Sequence, residues 1–157
     1  MSEEKKIAIN FGLISFEILS YSFEKPPKDF KQEKIGYQIQ FLPDVDLKEG
    51  FFSIEMKVDT KIAEDSDAIL GSIHTMTKYG LSEMESLINN DGNFVLPKNL
   101  AVTFLSIALS TTRGALAAKS EGNLLSQFVM PLVNPEEMYE SSPLKGEIDI
   151  GTNKHLL

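Results

Sequence analysis

A chain of 157 residues with ordinary apolar and charged fractions is long enough for one packed domain and short for two. Its 23 acidic against 15 basic side chains leave a formal charge of −8. That argues against nucleic-acid binding, because a phosphate backbone is held by Lys and Arg that displace its counterions. Cysteine is absent, so disulfides and thiolate chemistry are excluded. With an N-terminus of mixed charge and no apolar run of signal-peptide or membrane-spanning length, a cytosolic location is expected.

The first two-thirds of the chain reads as strands. Ile7, Ile9, Phe11 and Leu13 alternate with smaller or polar residues, and after a change of phase Leu19, Tyr21 and Phe23 alternate again. An interrupted alternation predicts one long strand with a bulge, since an extra residue swaps the faces. Pro26 and Pro27 close it, and KDFKQEK is a solvated connection. Ile35, Tyr37, Ile39 and Phe41 mark a second strand. Phe52, Ile54, Met56 and Val58 mark a third, with Ser53, Glu55, Lys57 and Asp59 on its other face. After the polar AEDSD turn a fourth strand is predicted from about Ala68 to Tyr79. Four strands without an intervening helix imply antiparallel pairing.

The pattern then turns helical. Leu81 to Asn90 is predicted as a short helix started by Ser82, and NNDGN is a breaker. A long helix is predicted from Pro97 through NLAVTFLSIALSTTRGALAAK, followed by the EGN turn, an apolar segment and a short helical stub with Glu136 and Glu137 in its first turn. The fold class is therefore α+β, a four-stranded antiparallel sheet with one long and one short helix packed on one face. Residues 1–140 make the domain. Residues 141–157 are predicted as a polar C-terminal tail, in which Ile148 and Ile150 offer a means of docking.

The long helix carries no charge between Lys98 and Arg113. Leu100, Phe104, Ile107, Ala108 and Ala115 share one face, and Ala101, Val102, Leu105, Leu109 and Leu116 a neighbouring one. A surface helix ordinarily has one apolar stripe. Each large side chain left in water would forfeit roughly 1.5–3 kcal/mol, so two such faces need two coverings. Either the segment from Leu124 to Val133 covers the second face, or a second copy of the helix does. On the latter reading Leu100, Phe104, Leu105, Ile107, Ala108 and Leu109 are interface residues. Phe104→Glu or Leu105→Glu should then dissolve an oligomer before the sheet.

No catalytic constellation stands out. His74 lies in a strand and His155 in the tail, and no Cys/His cluster has metal-ligand spacing. DVDLKEG departs from a calcium loop, with Lys48 at its fifth position and glycine at its seventh. Phosphate-cradling glycine motifs are absent. Neither enzyme activity nor a cofactor is expected. Ten Phe and six Met suit an adaptable apolar binding surface, for which Phe41, Leu42, Phe51 and Phe52 at strand ends are the candidates. Glu55 and Asp59 form a candidate acidic face for a basic partner.

Several short motifs follow one another in a telling order. Ser22-Phe23-Glu24 with Pro26 resembles the S-F-E-x-P stretch of the SecB export chaperones. A glycine turn at Tyr79-Gly80-Leu81, the Phe94-Val95-Leu96-Pro97 entry to the long helix, and Arg113-Gly114 near its end are similar to elements of that family. Pro131-Leu132-Val133-Asn134, with Met138 and Tyr139 after it, resembles the family's P-V-N-F segment. The likeness spans about residues 5–140. It implies a dimer of dimers with helices sandwiched between sheets, and an ATP-independent holdase for unfolded polypeptides, often serving the SecA motor. Two departures stand out: the second helix is short and followed by Pro143, and AAKSEGNLLSQF replaces a more compact proline-containing link. They fit a divergent branch, some of whose members protect antitoxins. The expected function is thus a cytosolic tetrameric holdase. A dedicated chaperone of an antitoxin or other partner, and an oligomeric binder of small apolar ligands, are the alternatives.

Overall fold

The computed structural model describes residues 9–31, 35–63, 66–128 and 130–150. Ile7 of the first predicted strand, Gln32 to Lys34 of the solvated connection, Glu64 and Asp65 of the polar turn, Val129 and His155 lie outside them.

Period-two patterning forms four long strands: β1 (Phe11–Phe23), β2 (Gly36–Asp46), β3 (Phe51–Lys61) and β4 (Ile69–Leu81). They make one antiparallel sheet in the order β1-β4-β3-β2, so β1 and β2 are the edges. Asp46 Oδ1 accepts from the Glu49 backbone at 2.9 Å, and Gly50 takes a positive φ of 75°. The DVDLKEG stretch thus closes β2 with its first three residues and makes the hairpin turn to β3 with its last four, Leu47 to Gly50. β1 carries the expected irregularity twice, between Leu13 and Ser15 and between Ile18 and Ser20.

The segment after β4 departs from expectation. β4 runs on to Leu81, and in place of a helix there is a single 3-10 turn, Met84–Leu87. Glu83 sits in the left-handed region at φ 57°, which no continuing helix accommodates. Asn89 Oδ1 then accepts from the backbone of Asp91 and Asn93, both at 3.0 Å, turning the chain into β5 (Phe94–Val95).

Helix α1 (Lys98–Lys119) begins immediately after Pro97. Its buried residues are Ala101, Phe104, Leu105, Ala108, Leu109, Thr112 and Leu116, one stripe at helical spacing that packs on β4, β3 and β1. By length and composition α1 is apolar enough to cross a membrane, but this stripe lies against the sheet. The core beneath it is a run of aromatic rings. Phe52 stacks on Phe94 and Phe104 at 6.0 and 5.6 Å between centroids, and Tyr79 stacks on Phe104 at 4.1 Å.

Leu125 within a 3-10 turn at Leu124–Gln127 is buried, as is Met130 beyond it. Gly71 leaves the space for this turn, since a Cβ there would stand 2.4 Å from the Leu125 side chain. Arg113 on α1 fixes the following backbone by donating to the carbonyls of Met130 and Pro131, at 3.2 and 3.3 Å. Helix α2 (Pro135–Glu140) is capped by the Asn134 side chain, with Pro at its start, and packs on α1.

The predicted tail is corrected in part. Leu144 is fully buried, and β6 (Glu147–Ile148) pairs with β5, so the fold extends beyond residue 140. Ile148 is the anchor, opposite Phe94, and Glu147 accepts from the side chains of Asn89 and Asn93.

Candidate functional site

The largest uncovered apolar surface is the β1 edge. Among the described residues nine large apolar side chains are well exposed, and five of them belong to β1: Phe11, Leu13, Ile14, Ile18 and Leu19, at 38 to 56%. Ladder pairing to β4 leaves the strand's other backbone edge without a sheet partner among the described residues. The register places Phe11, Leu13, Phe16, Ile18 and Tyr21 on the helix side, beside Leu81, Tyr79, Thr77, Thr75 and Ile73. Ser15, Glu17, Ser20 and Ser22 share the outer face. Ile14, an extra residue at the first irregularity, lies over Gly80 on that outer face. Exposed apolar groups therefore occur on both faces of one edge strand.

The opposite edge is different. β2 carries Pro43, which has no N–H to donate, and exposed Gln38 and Gln40, and β6 packs beside it. On its helix side Tyr37, Ile39 and Phe41 are half-buried and rest on the core. Burial holds the Tyr37 phenol above its ordinary pKa. The main sheet contacts of α1 are with β4, β3 and β1, so this strip lies at the margin of the helix.

The four residues expected to hold clients are not brought together. Phe41 is on the helix-side strip. Leu42 points to the outer face and lines a small hollow of ≈ 110 Å³ with Pro43, Asp44, Pro143 and Ile148. Phe51 is also on the outer face, under the Lys78 ammonium at 4.9 Å. Phe52 is fully buried in the aromatic core and is corrected from a contact residue to a core residue, because alternation along β3 turns it inward.

The helix residues need a similar correction. Phe104, Leu105, Ala108 and Leu109 are buried by the chain's own sheet, so they are not free to meet a second subunit. The wheel split one stripe into two faces. The true stripe is centred between them, and Leu125 and Met130 bury apolar surface on the segment that follows the helix. Leu100 and Ile107 are half-exposed at its margins. The outward side of α1 carries Thr103, Ser110, Gly114, Ala117 and Ala118, all small.

Glu55 and Asp59 do share the outer face, but they are only 4 and 6% exposed. Glu55 Oε1 lies 2.6 Å from His74 Nε2, and Asp59 accepts from the Ser72 hydroxyl at 2.6 Å with Lys57 at 3.7 Å. A central strand lies between two neighbours, so Leu42, Gln38 and Met76 flank these acids and shield them. The expected wet acidic face is corrected to an internally paired row. Among the described residues no group of three or more His, Asp or Glu is placed to hold a metal ion.

Sequence reading missed β1 as the exposed edge. The signal was present, because Leu13 and Ile14, like Ile18 and Leu19, are adjacent apolar pairs that no single buried face accommodates.

No protein-family model matches the chain, and no curated protein matches it. A solved structure of a protein of unknown function from Streptococcus agalactiae is similar at 18% identity, covering 81% of this chain and 99% of that one, with a TM-score of 0.35.

Proposed function

We propose that this chain is a non-catalytic polypeptide-binding protein that works in the cytosol as an oligomeric, ATP-independent holdase of the SecB-like kind. The observation that supports it most is the amount of large apolar surface left in water, with five well-exposed side chains on β1 and Leu132 at 88% beyond α1. Uncovered apolar patches on a folded chain mark surfaces meant to be covered by another polypeptide or a membrane. The order of motifs from Ser22 to Tyr139, on a sheet with α1 and α2 packed on it, favours the polypeptide.

An unfolded client offers apolar side chains and unpaired backbone. The helix-side strip of Tyr37, Ile39 and Phe41, with Leu132 and half-exposed Val102, supplies weak apolar contacts spread along one molecule. Copies joined in one oligomer then hold a flexible client by avidity. The net charge of −8 keeps a loaded complex soluble.

The test is dilution of an unrelated denatured protein into buffer containing this chain and no nucleotide. Light scattering should fall as chaperone approaches equimolar, and Phe41→Asp should weaken the effect several-fold with the far-ultraviolet spectrum unchanged. Full aggregation at a several-fold excess of folded protein would overturn the proposal. Saturable uptake of an apolar dye with no suppression would favour the small-ligand alternative.

A further inference from the structure

The helix-side row of β2 runs Tyr37, Ile39, Phe41, Pro43 and Val45. Its first three side chains are half-buried and its last two are buried. The change falls where the C-terminal segment passes, since Pro143, Glu147 and Ile148 line one hollow with Leu42, Pro43 and Asp44. From this we infer that residues 141–150 are a displaceable strap, which closes one end of the apolar strip by occupying it as a client would. The inference rests on the proposed function for what replaces the strap, an extended apolar segment of an unfolded polypeptide.

The strap has the chemistry of a bound peptide. β6 joins β5 through two residues, Ile148 opposite Phe94 and Glu147 opposite Val95, the strand addition by which extended peptides are held. Phe94 makes its other bridge with Ile88, so lifting β6 would open one edge of β5. Leu144 and Ile148, four residues apart, sink into the same buried cluster as Val45 and Phe94. The polar ties are shallow by comparison. Asn89 and Asn93 donate to the Glu147 carboxylate at 2.5 and 2.8 Å, and Lys145 donates to Glu140 at 2.6 Å, all at exposed positions. Water replaces such bonds with little net loss. Among the described residues β6 forms no ladder with β2, and a space of ≈ 110 Å³ remains along that seam. The strap is joined to α2 by a turn at Ser142 to Lys145 and by Gly146, whose φ of 110° only glycine adopts readily. Its hold is therefore two apolar side chains and a short ladder, which an unfolded client also offers. So short a tether gives the strap an effective concentration on the order of millimolar. An isolated weak segment does not overcome that, whereas a client already held at Tyr37, Ile39 and Phe41 acts from a tether of its own. The strap thus favours long clients with several apolar stretches over short ones.

The absence of cysteine lets the strap be locked in place. Val95 and Glu147 are exposed and directly opposite, and Cα atoms of such a pair stand about 4.5–5.5 Å apart, within disulfide reach. Val95→Cys with Glu147→Cys should close on oxidation and reopen with dithiothreitol. The probe is a fluorescein-labelled peptide of the strap's own sequence, SSPLKGEIDI, followed by anisotropy. Ile148→Asp sets a carboxylate in the apolar seat and should bind the peptide at least about tenfold more tightly than wild type, because the tethered competitor is weakened. The reduced double variant, which lacks the Glu147 tie, should bind at least as tightly as wild type, and its oxidised form should not bind. In the aggregation assay the oxidised form should need several-fold more protein than the same sample reduced. Peptide binding equal in the oxidised and reduced forms overturns the inference, as does a peptide that binds neither Ile148→Asp nor the reduced double variant. Should Ile148→Asp lose its far-ultraviolet spectrum, the oxidised and reduced comparison decides. Peptide exchange that the lock abolishes, in a protein that suppresses no aggregation, removes the holdase reading alone. Suppression that the lock leaves unchanged removes the strap alone.

Discussion

The Tyr79 hydroxyl donates to the backbone carbonyl of Phe104 at 2.6 Å, while the two rings stack at 4.1 Å with an interplanar angle of 10°. One side chain of β4 thus ties the sheet to the second turn of α1 by both a polar and an apolar contact. Burial pushes the Tyr79 phenol well above its usual pKa, so it stays a donor through the whole physiological range. Tyr79→Phe should keep the stacking and lose the hydrogen bond, costing about 0.5–1.5 kcal/mol in urea unfolding. An unchanged midpoint would mean that the bond contributes nothing net.

Core truncation on α1 separates the observed packing from the expected subunit contact. Leu105 is fully buried within the chain. Leu105→Ala should therefore lower folding stability by about 2–5 kcal/mol, equally at low and high protein concentration. A loss that vanishes on concentrating the protein would return Leu105 to the interface.

A second tie between layers is wholly polar. Thr75 on β4 and Thr112 on α1 share a buried hydroxyl pair at 2.8 Å. Thr112→Val alone strands the Thr75 hydroxyl and should cost about 1–3 kcal/mol. The double change Thr75→Val with Thr112→Val should recover much of that loss in denaturant unfolding, since neither polar group then remains. Strict additivity of the two changes would show that the pair is not coupled.

The surface ion cluster gives a pH prediction. Glu140 lies 2.6 Å from the Lys145 ammonium and 2.9 Å from that of Lys98, and these bonds hold its carboxyl at about 2 instead of 4.5. A depressed acid contributes its stability above the ordinary value and loses it as pH falls through the depressed one. The docking of α2 on the start of α1 should therefore be insensitive to pH above 4.5 and weaken progressively toward pH 2. Carboxyl titration by NMR should place the Glu140 midpoint below that of exposed glutamates, and Lys145→Ala should raise it. A wild-type midpoint at 4.5 would remove the cluster from solution.

Local pattern carried the elements further than their arrangement. Strict alternation from Tyr37 to Phe41 and from Phe52 to Val58 marked β2 and β3, and Pro97 marked the start of α1 to within a residue. The order β1-β4-β3-β2 lay beyond a local reading, because β1 pairs with a strand nearly fifty residues away. The β5–β6 pair, which joins Phe94 to Ile148, was hidden for the same reason. For the candidate site the error was geometric. A helical wheel shows which residues share a face but not which neighbour covers it, so α1 was assigned the exposed surface that belongs to β1.

The position of β1 in the chain also governs what happens during synthesis. Its partner β4 begins at Ile69, forty-six residues after β1 ends at Phe23. At a translation rate of roughly 5–20 residues per second, β1 leaves the ribosome a few seconds before anything can pair with it. For that interval both of its edges, and all of its Phe, Leu and Ile side chains, are open to any passing strand. The nascent chain is at that stage exposed to aggregation through the same apolar side chains that stay half in water once the sheet is complete.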